Sequence, residues 1–269
     1  MNRHPGRLGF AGLAVLPFVV VALLYLVASI ERRTANPNDK VLPSPIAMMQ
    51  TFAEMAMVPD KRTGNYLLLS DTLASLERLF VALGGALSIT LVIAMMIGIV
   101  PLFRAALQPF VNVVSLVPPL ALLPILFIAL GLGEASKIVL IMIGVTPIMI
   151  RDLALRIAEL PREQIVKAQT LGASTWQFAL RVVLPQMAPR LIDALRLAIG
   201  PAWVFLISAE AIAADGGLGY RIFLVRRFFA MDVIIPYVIW ITLLAFMMDL
   251  GLRLLQRKAF PWFGAARAA

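Results

Sequence analysis

Six apolar segments, each close to the length that crosses the hydrocarbon core of a bilayer, divide this sequence. A membrane-spanning helix needs about 20 apolar residues. The chain is 61% hydrophobic and 14% charged, whereas soluble domains are about half apolar and a quarter charged. Because lipid offers no partner for backbone polar groups, this pattern predicts an all-α, polytopic helix bundle. The segments are residues 8–30, 79–102, 105–132, 135–150, 197–214 and 233–252.

The first apolar segment follows two arginines, Arg3 and Arg7, an arrangement that secretory signal peptides also have. It is longer than the apolar region of a signal peptide. It also ends in Glu31-Arg32-Arg33 rather than in a cleavage site of small residues. We therefore expect residues 8–30 to form a retained first span.

A polar stretch, residues 31–72, separates the first two spans and contains Pro37, Pro43 and Pro45 as helix breakers. In its middle, residues 46–58 place apolar side chains at helical spacing. This spacing predicts a short helix lying on the membrane surface.

Polar residues before the second span predict where its helix begins. Asp71 or Thr72 is the expected N-cap, because side chains of both types accept a hydrogen bond from the first turn. Glu77 and Arg78 then fall just before the apolar run. We expect both of them at the depth of the lipid headgroups.

The third span contains four prolines: Pro109, Pro118, Pro119 and Pro124. Proline removes a helical hydrogen bond and clashes with the preceding turn, so this span must be kinked or broken. The freed backbone groups are tolerated only where protein or a water-filled cavity satisfies them. The pattern predicts a span inside the bundle near the solute pathway, with Pro118 and Pro119 as pathway or gate candidates, before a turn at residues 131–134.

The chemistry that the sequence lacks narrows its function. Cysteine is absent and the single histidine, His4, lies in the N-terminal tail, which excludes thiolate or histidine metal sites and His-dependent triads. An intramembrane aspartyl protease needs two facing acids, and Glu134 in the 131–134 turn has no convincing partner. We expect no enzyme activity and no cofactor in this chain, which also lacks the phosphate-binding loop G-x-x-x-x-G-K-S/T.

The net charge of +9 is compatible with nucleic-acid binding, but basic cytoplasmic loops explain it better in a multi-spanning protein. Six spans put both termini on one side. Placing the termini and residues 161–185 in the cytoplasm leaves the majority of the 24 Lys and Arg residues there. This distribution agrees with the positive-inside rule and predicts cytoplasmic termini.

A polar helix–turn–helix is predicted between the fourth and fifth spans. Pro161 suits the first position of a helix that runs to about Leu171. Gly172 follows where helices commonly end in a left-handed residue. Ser174 then begins the second helix as its N-cap, and Gln177 completes a capping box.

Aligned on Gly172, this segment resembles the cytoplasmic signature of binding-protein-dependent ABC importer permeases. That signature reads Glu-Ala-Ala, three residues, Gly, nine residues, Ile, one residue, Leu-Pro. Val182 takes the Ile position, whereas Val166 and Lys167 stand where the family has Glu-Ala. The resemblance implies that residues 161–185 form a coupling loop that docks on an ATPase; the alternative is an amphipathic helix on the membrane surface. The implied coupling residues are Ala168, Leu171, Gly172, Ala173, Ser174, Leu184 and Pro185.

Further motifs resemble permeases of the nitrate, sulfonate and bicarbonate type. Together they cover about residues 71–261, the expected core of one transmembrane domain spanning residues 1–269. The resemblance implies a type I importer fold in a bacterial inner membrane, a dimer of permeases, ATPases that bind ATP, and a periplasmic solute-binding protein that docks near residues 31–72 and 215–232. We expect a homodimer. The motifs are Pro118-Pro119-Leu120, Leu123-Pro124-Ile125, residues 131–137, Ala209-Glu210 and residues 217–220.

Charged residues in the spans have two alternative interpretations. Glu210 is either a pathway or gate residue, because ionisable groups in a span face the bundle interior or water, or a carboxylate paired with an arginine or capping a helix. Asp193 and Asp249 are expected to be ion-paired anchors beside Arg196 and Arg253. Arg151 either orients the coupling loop or reaches the lipid headgroups.

Two questions about function stay open at this point. The resemblance suggests a small polar solute such as nitrate, an alkanesulfonate or taurine. The segments 37–40 and 221–227 look more like permeases that accompany urea or guanidine catabolism. The rival to a transporter is a non-transporting membrane scaffold subunit, which explains the spans but not the coupling loop.

Overall fold

The computed structural model describes residues 7–36, 40–61 and 64–265 of the chain. The helices given below lie within these ranges. Two sequence interpretations concern residues outside these ranges. They are the tail position of His4 and the solute preference drawn partly from residues 37–39. The predicted all-α fold is confirmed. The α-helices are α1 (Arg7–Ala35), α2 (Pro45–Met57), α3 (Leu67–Ile99), α4 (Pro101–Val114), α5 (Leu123–Leu130), α6 (Glu134–Ala158), α7 (Arg162–Thr170), α8 (Thr175–Phe178), α9 (Leu184–Ala213), α10 (Leu218–Arg226), α11 (Met231–Ala259) and α12 (Pro261–Ala265).

Five helices of the described chain are long and apolar enough to cross a bilayer, and a bent pair makes a sixth when the pair is counted as one span. The five are the part of α1 from Gly12, then α3, α6, the helix Thr175–Ala213 and α11. The bent pair is α4 with the segment from Pro119 to Leu130, whose axes differ by 84°. Six spans were predicted, and this result agrees with them.

The third span is broken, as its prolines predicted, between α4 and α5. After α4 the chain forms a 3₁₀ turn, Pro119–Leu122, which leads directly into α5. Pro109 is accommodated inside α4. The span ends at Gly131, whose φ of 77° is a left-handed conformation that glycine adopts without strain.

The second span begins earlier than predicted. Its helix starts at Leu67, because the apolar residues before Asp71 extend it, so neither Asp71 nor Thr72 is the N-cap. Both side chains are buried inside the helix, and Thr72 donates to the carbonyl of Leu68 at 2.6 Å. Arg78 is also buried rather than exposed to headgroups, although Glu77 is exposed.

The fourth and fifth spans pack closely against each other as α6 and α9. Helix α6 ends later than predicted and α9 begins earlier. Leu140 of α6 and Ala209 of α9 belong to one buried cluster. Ile141 and Val145 of α6 and Ala202 and Leu206 of α9 are also buried. Side chains of this kind at helical spacing bury a continuous apolar stripe.

Two compact units divide the chain. One comprises Met1–Leu67 with Ile222–Ile239, and the other Leu68–Arg221 with Trp240–Ala269. The expectation of a single transmembrane domain stays a prediction. All the residues of the sites described below belong to the second unit.

Within the first unit, hydrogen bonds tie α1 to the chain before α2. Tyr25 donates to the carbonyl of Pro43 at 2.7 Å, and Ser29 donates to that of Leu42 at 3.0 Å. Ser44 caps α2 by accepting from the backbone N–H of Ala47 at 3.1 Å. The predicted short helix therefore exists, while its place on a membrane surface stays a prediction.

Candidate functional site

The turn of the coupling loop is a Schellman motif centred on Gly172. Its N–H donates to the carbonyl of Gln169 at 2.9 Å, and the N–H of Ala173 donates to that of Ala168 at 3.0 Å. The φ of Gly172 is 75°. This pairing satisfies carbonyls that a helix end leaves without partners, and it needs a residue with positive φ. The predicted role of Gly172 in the turn is confirmed.

A capping box begins the second helix of the loop, as predicted. The Ser174 hydroxyl accepts from the N–H of Gln177 at 3.2 Å, and the Gln177 side chain accepts from the N–H of Ser174 at 2.9 Å. The other boundary differs by one residue, because Pro161 is the N-cap of α7 rather than its first helical residue. The two helices are thus held at a defined angle by backbone geometry.

The second helix of the loop continues into the fifth span without a break. From α8 the chain passes through a π turn, Ala179–Val183, into α9. The Pro185 ring would crowd the carbonyl of Arg181 in a regular helix, and the wider turn at that position relieves this contact. The second helix of the loop and the fifth span therefore form one continuous helix of 39 residues, Thr175–Ala213.

Apolar side chains are exposed on the coupling loop. Leu171 is 77% exposed and Trp176 is 71% exposed. Val166, at the position where the related signature has Glu, is also largely exposed. Trp176 was not among the predicted coupling residues. An aromatic residue just after an N-cap in a polar segment is nevertheless a signal from which a contact residue could have been predicted. The loop presents an apolar surface with no carboxylate at the Glu position.

A buried charge network centred on Glu210 lies at the end of α9 that is far from the coupling loop. The Glu210 side chain is fully buried. One carboxylate oxygen accepts from Arg78 Nη1 at 2.7 Å. The other accepts from the N–H of Gly219 at 2.8 Å, and the Ser75 hydroxyl lies within 3.0 Å of both oxygens. The members of the buried charge network are Asp71, Ser75, Arg78, Glu134, Lys137, Glu210 and Arg221.

Arg78 joins three elements in this network. Besides Glu210 on α9, its guanidinium donates through Nε and, at 2.9 Å, through Nη2 to Glu134 at the start of α6. Its Nη1 also donates to the carbonyl of Gly216 at 2.8 Å. Lys137 donates to the same Glu134 carboxylate at 2.8 Å. Arginine suits this role because its planar group presents five donors in a fixed geometry.

The loop before α10 closes over the network because it is rich in glycine. Gly217 has a φ of 126°, and a Cβ there would lie 2.5 Å from Glu210 Oε1 and 2.8 Å from Arg78 Nη1. Its N–H donates to Asp71 at 3.1 Å, and Arg221 binds the same carboxylate through two nitrogens at 2.8 and 3.3 Å. Only glycine lets the backbone approach the ion pair this closely.

The formal charges of the network cancel. Its cations are Arg78, Lys137 and Arg221, and its carboxylates are those of Asp71, Glu134 and Glu210. Buried charges persist when they are paired and their remaining hydrogen-bonding groups are satisfied. Of the two interpretations of Glu210, the contacts favour the paired and capping one. Its role in a pathway stays a prediction.

Sequence reasoning found only one member of this network as a site residue. Asp71 was predicted to cap a helix and Arg78 to lie at the depth of the headgroups, whereas Ser75 was not singled out. The sequence did contain a signal for the network. Asp71 lies four residues before Ser75 and Arg78 three residues after it, so the three share one helical face next to an apolar run.

The expected ion pairs at the coupling-loop end are present. Arg196 Nε contacts Asp249 at 2.7 Å and its Nη1 contacts Asp193 at 3.2 Å, while Arg253 binds Asp249 at 2.8 Å. Arg196 therefore links α9 to α11. Arg151 instead donates to the Ser115 hydroxyl after α4 at 2.8 Å.

A model of the family described as "Binding-protein-dependent transport system inner membrane component" matches residues 81–261. The chain belongs to this family. It is therefore a membrane-spanning permease component of an ABC importer, and the matched range contains the whole coupling loop and Glu210. Inner-membrane permeases of this family have several spanning helices, as this one does.

Curated relatives of the permease carry different solute names. It is 38% identical over 192 residues to the taurine transport system permease protein of Escherichia coli, covering 71% of this chain and 70% of that one. A putative aliphatic sulfonates transport permease of Bacillus subtilis is 28% identical, covering 97% and 92%. A nitrate import permease of Synechocystis is 25% identical, covering 97% and 94%.

A solved structure shares the fold of the permease. A chain of the MetNI methionine ABC transporter, in an inward-facing conformation, superposes with a TM-score of 0.65 at 20% sequence identity. The match covers 72% of this chain and 96% of that chain. The expected type I importer permease fold is confirmed.

Proposed function

We propose that two copies of this permease form a homodimer whose solute pathway is opened and closed by partner ATPases. The observation that carries the proposal is the continuity of the coupling loop with a spanning helix. The Schellman turn and the capping box fix α7 against α8, and α8 runs directly into α9. Closure of an ATPase around the loop would therefore displace the spanning helix as a rigid body.

The contact with the ATPase rests on shape and apolar surface. The exposed Leu171 and Trp176 supply that surface, and Val166 offers no charge where the related signature has Glu. The seven coupling residues from Ala168 to Pro185 hold this surface in place through the turn, the cap and the π turn. The cofactor ATP belongs to the ATPases in this proposal, and the permease itself carries out no catalysis.

The orientation follows from the same arrangement. The coupling loop faces the cytoplasm together with both termini, in agreement with the excess of Lys and Arg on that side. The buried charge network then lies at the periplasmic end, where a solute-binding protein delivers its cargo. Pro118 and Pro119, at the break in the third span, border the pathway between these two ends.

The solute class follows from the relatives rather than from a site in the chain. We infer a small polar solute of the sulfonate or nitrate kind, because taurine, aliphatic sulfonate and nitrate permeases are the named relatives. The urea or guanidine alternative rested on residues 37–40 and 221–227. A binding assay on the cognate solute-binding protein distinguishes the two.

Co-purification tests the proposal against a scaffold role. A tagged permease in mild detergent is expected to retain an ATPase subunit, and Trp176→Asp is expected to lose it because it places charge on the docking surface. Trp262→Asp is the matched control, since Trp262 is a similarly exposed tryptophan on α12 outside the loop. A folded permease that never retains an ATPase would support the scaffold instead.

The Glu210→Gln variant separates the two roles of that residue. The amide places a donor where the carboxylate accepts from Arg78, Ser75 and Gly219, so we expect less folded protein. Uptake per folded transporter should stay near the wild-type value. Glu134→Gln serves as the control, because it weakens a different contact of the same arginine, Arg78, at a half-exposed position. A selective loss of uptake in Glu210→Gln, with ATP hydrolysis intact, would assign Glu210 to the pathway.

A further inference from the structure

A charged cavity of about 360 Å³ lies at the coupling-loop end of the helices, between α6, α9 and α11. Four arginines and three aspartates line it. Arg196 occupies the centre of the ion pairs there, bonded to Asp193 and Asp249, and Arg253 takes the second oxygen of Asp249. Arg156 lies 3.5 Å from Asp152 and 3.9 Å from Glu159, which does not line the cavity. These contacts use all three aspartates that line the cavity.

Of the four arginines that line the cavity, Arg190 is the one that takes no part in these ion pairs. In the part of the chain that the structure describes, no ion pair joins Arg190 to a carboxylate. Its guanidinium carbon instead lies 6.0 Å from the centre of the Phe263 ring. The side chain is half-buried at the cavity wall. The lining therefore has a formal excess of one positive charge, which favours an anion.

An apolar groove of about 180 Å³ continues from this cavity between α6 and α9. The two spaces share Asp152 and Leu197 as lining residues. From Asp152 the groove follows α6 back to Met149 and Val145. Seven residues of helix correspond to about 10 Å. The groove therefore runs along about two turns of a spanning helix and is long enough to hold part of an acyl chain.

A cationic mouth joined to an apolar groove in a spanning helix pair fits an amphiphile with an anionic head. We propose that this is a binding site for an anionic phospholipid in the leaflet on the coupling-loop side. Its phosphate binds Arg190, and an acyl chain lies in the groove beside Leu197. Basic pockets between spanning helices bind anionic headgroups by the same physics.

Other occupants explain fewer of these features. A free inorganic anion would satisfy Arg190 but leaves the apolar groove without a function. A second copy of the chain, related by a two-fold axis through the cavity, would set one cationic lining against another. The lipid satisfies both parts of the site at once.

The test uses the full permease in nanodiscs that contain phosphatidylglycerol or phosphatidylcholine alone, followed by native mass spectrometry of retained lipid. We expect phosphatidylglycerol to be retained in preference to phosphatidylcholine. Arg190→Gln should reduce the phosphatidylglycerol retained about fivefold, the effect of one basic residue beside an anionic lipid. Arg181→Gln is the control, because Arg181 is an exposed arginine near the same end but outside the cavity. Equal retention by both variants would overturn the proposal.

Two further measurements distinguish the occupants. Inorganic phosphate at millimolar concentration should not displace the lipid, and displacement would assign a free-anion site instead. The chain has no cysteine, so Leu197→Cys introduces a single thiol at the edge of the cavity. Efficient disulfide formation between two copies in the membrane would show that a second permease covers the site and would overturn the lipid proposal. Its absence together with preferential lipid retention supports it.

Discussion

Replacing Arg78 by methionine is expected to lower the free energy of unfolding by about 3–5 kcal/mol, the cost of removing one partner of a buried ion pair. The arginine contacts Glu210, Glu134 and the Gly216 carbonyl, and Glu210 is fully buried. Methionine has a similar volume but no donor, so the carboxylate keeps its burial and loses its cation. Thermal unfolding of the purified permease in mild detergent measures the effect.

The control is the same substitution at an exposed ion pair. Arg253 binds Asp249 at 2.8 Å, but its side chain is 55% exposed. Arg253→Met is expected to cost less than about 1 kcal/mol, because water and salt screen exposed pairs. In a double variant, Glu210→Gln should recover part of the loss caused by Arg78→Met, because it removes the unpaired charge. Equal losses from Arg78→Met and Arg253→Met would contradict the network's structural role.

Gly172→Val is expected to uncouple ATP hydrolysis from uptake. The turn needs the positive φ of 75°, which costs an ordinary L-residue about 1–2 kcal/mol and is especially unfavourable for a β-branched one. The helix pair should relieve this strain by changing its angle, so the ATPase would no longer displace α9. Uptake into proteoliposomes should fall at least about tenfold, the effect of roughly 1.4 kcal/mol, while ATP hydrolysis continues.

Gly172→Asn is the matched control for backbone conformation. No atom of a neighbouring side chain or of more distant backbone lies within 4 Å of a Cβ built at Gly172, so size alone is not disruptive. Asparagine tolerates the left-handed conformation better than other residues with a side chain. It should therefore retain most of the coupled uptake. Wild-type uptake by Gly172→Val would refute the assignment of this turn to coupling.

The coupling loop was predictable because its determinants are local. A glycine that ends one helix and a Ser-x-x-Gln box that begins the next act through neighbouring backbone groups. The spans and the break in the third of them were predictable for a similar reason, since apolar length and proline chemistry act within a segment.

The buried charge network was not predictable from the same reasoning. Arg78 and Glu210 are far apart in sequence, and only the folded chain brings their side chains on α3 and α9 together. The sequence placed Arg78 at the membrane edge, and it left Glu210 either in a pathway or paired with an arginine that it did not identify. The helix start at Leu67 was not predicted, for a related reason. Asp71 is a good N-cap in isolation, but its carboxylate accepts hydrogen bonds from the Gly217 N–H and from Arg221 instead.

The balance of formal charge in the network bears on the energy source for transport. Moving one elementary charge through the membrane potential exchanges about 2.3 kcal/mol per 100 mV. Three cations and three carboxylates that shift together as one unit carry no net charge through that field. A rearrangement that moved the whole network as one unit would therefore exchange almost no energy with the membrane potential.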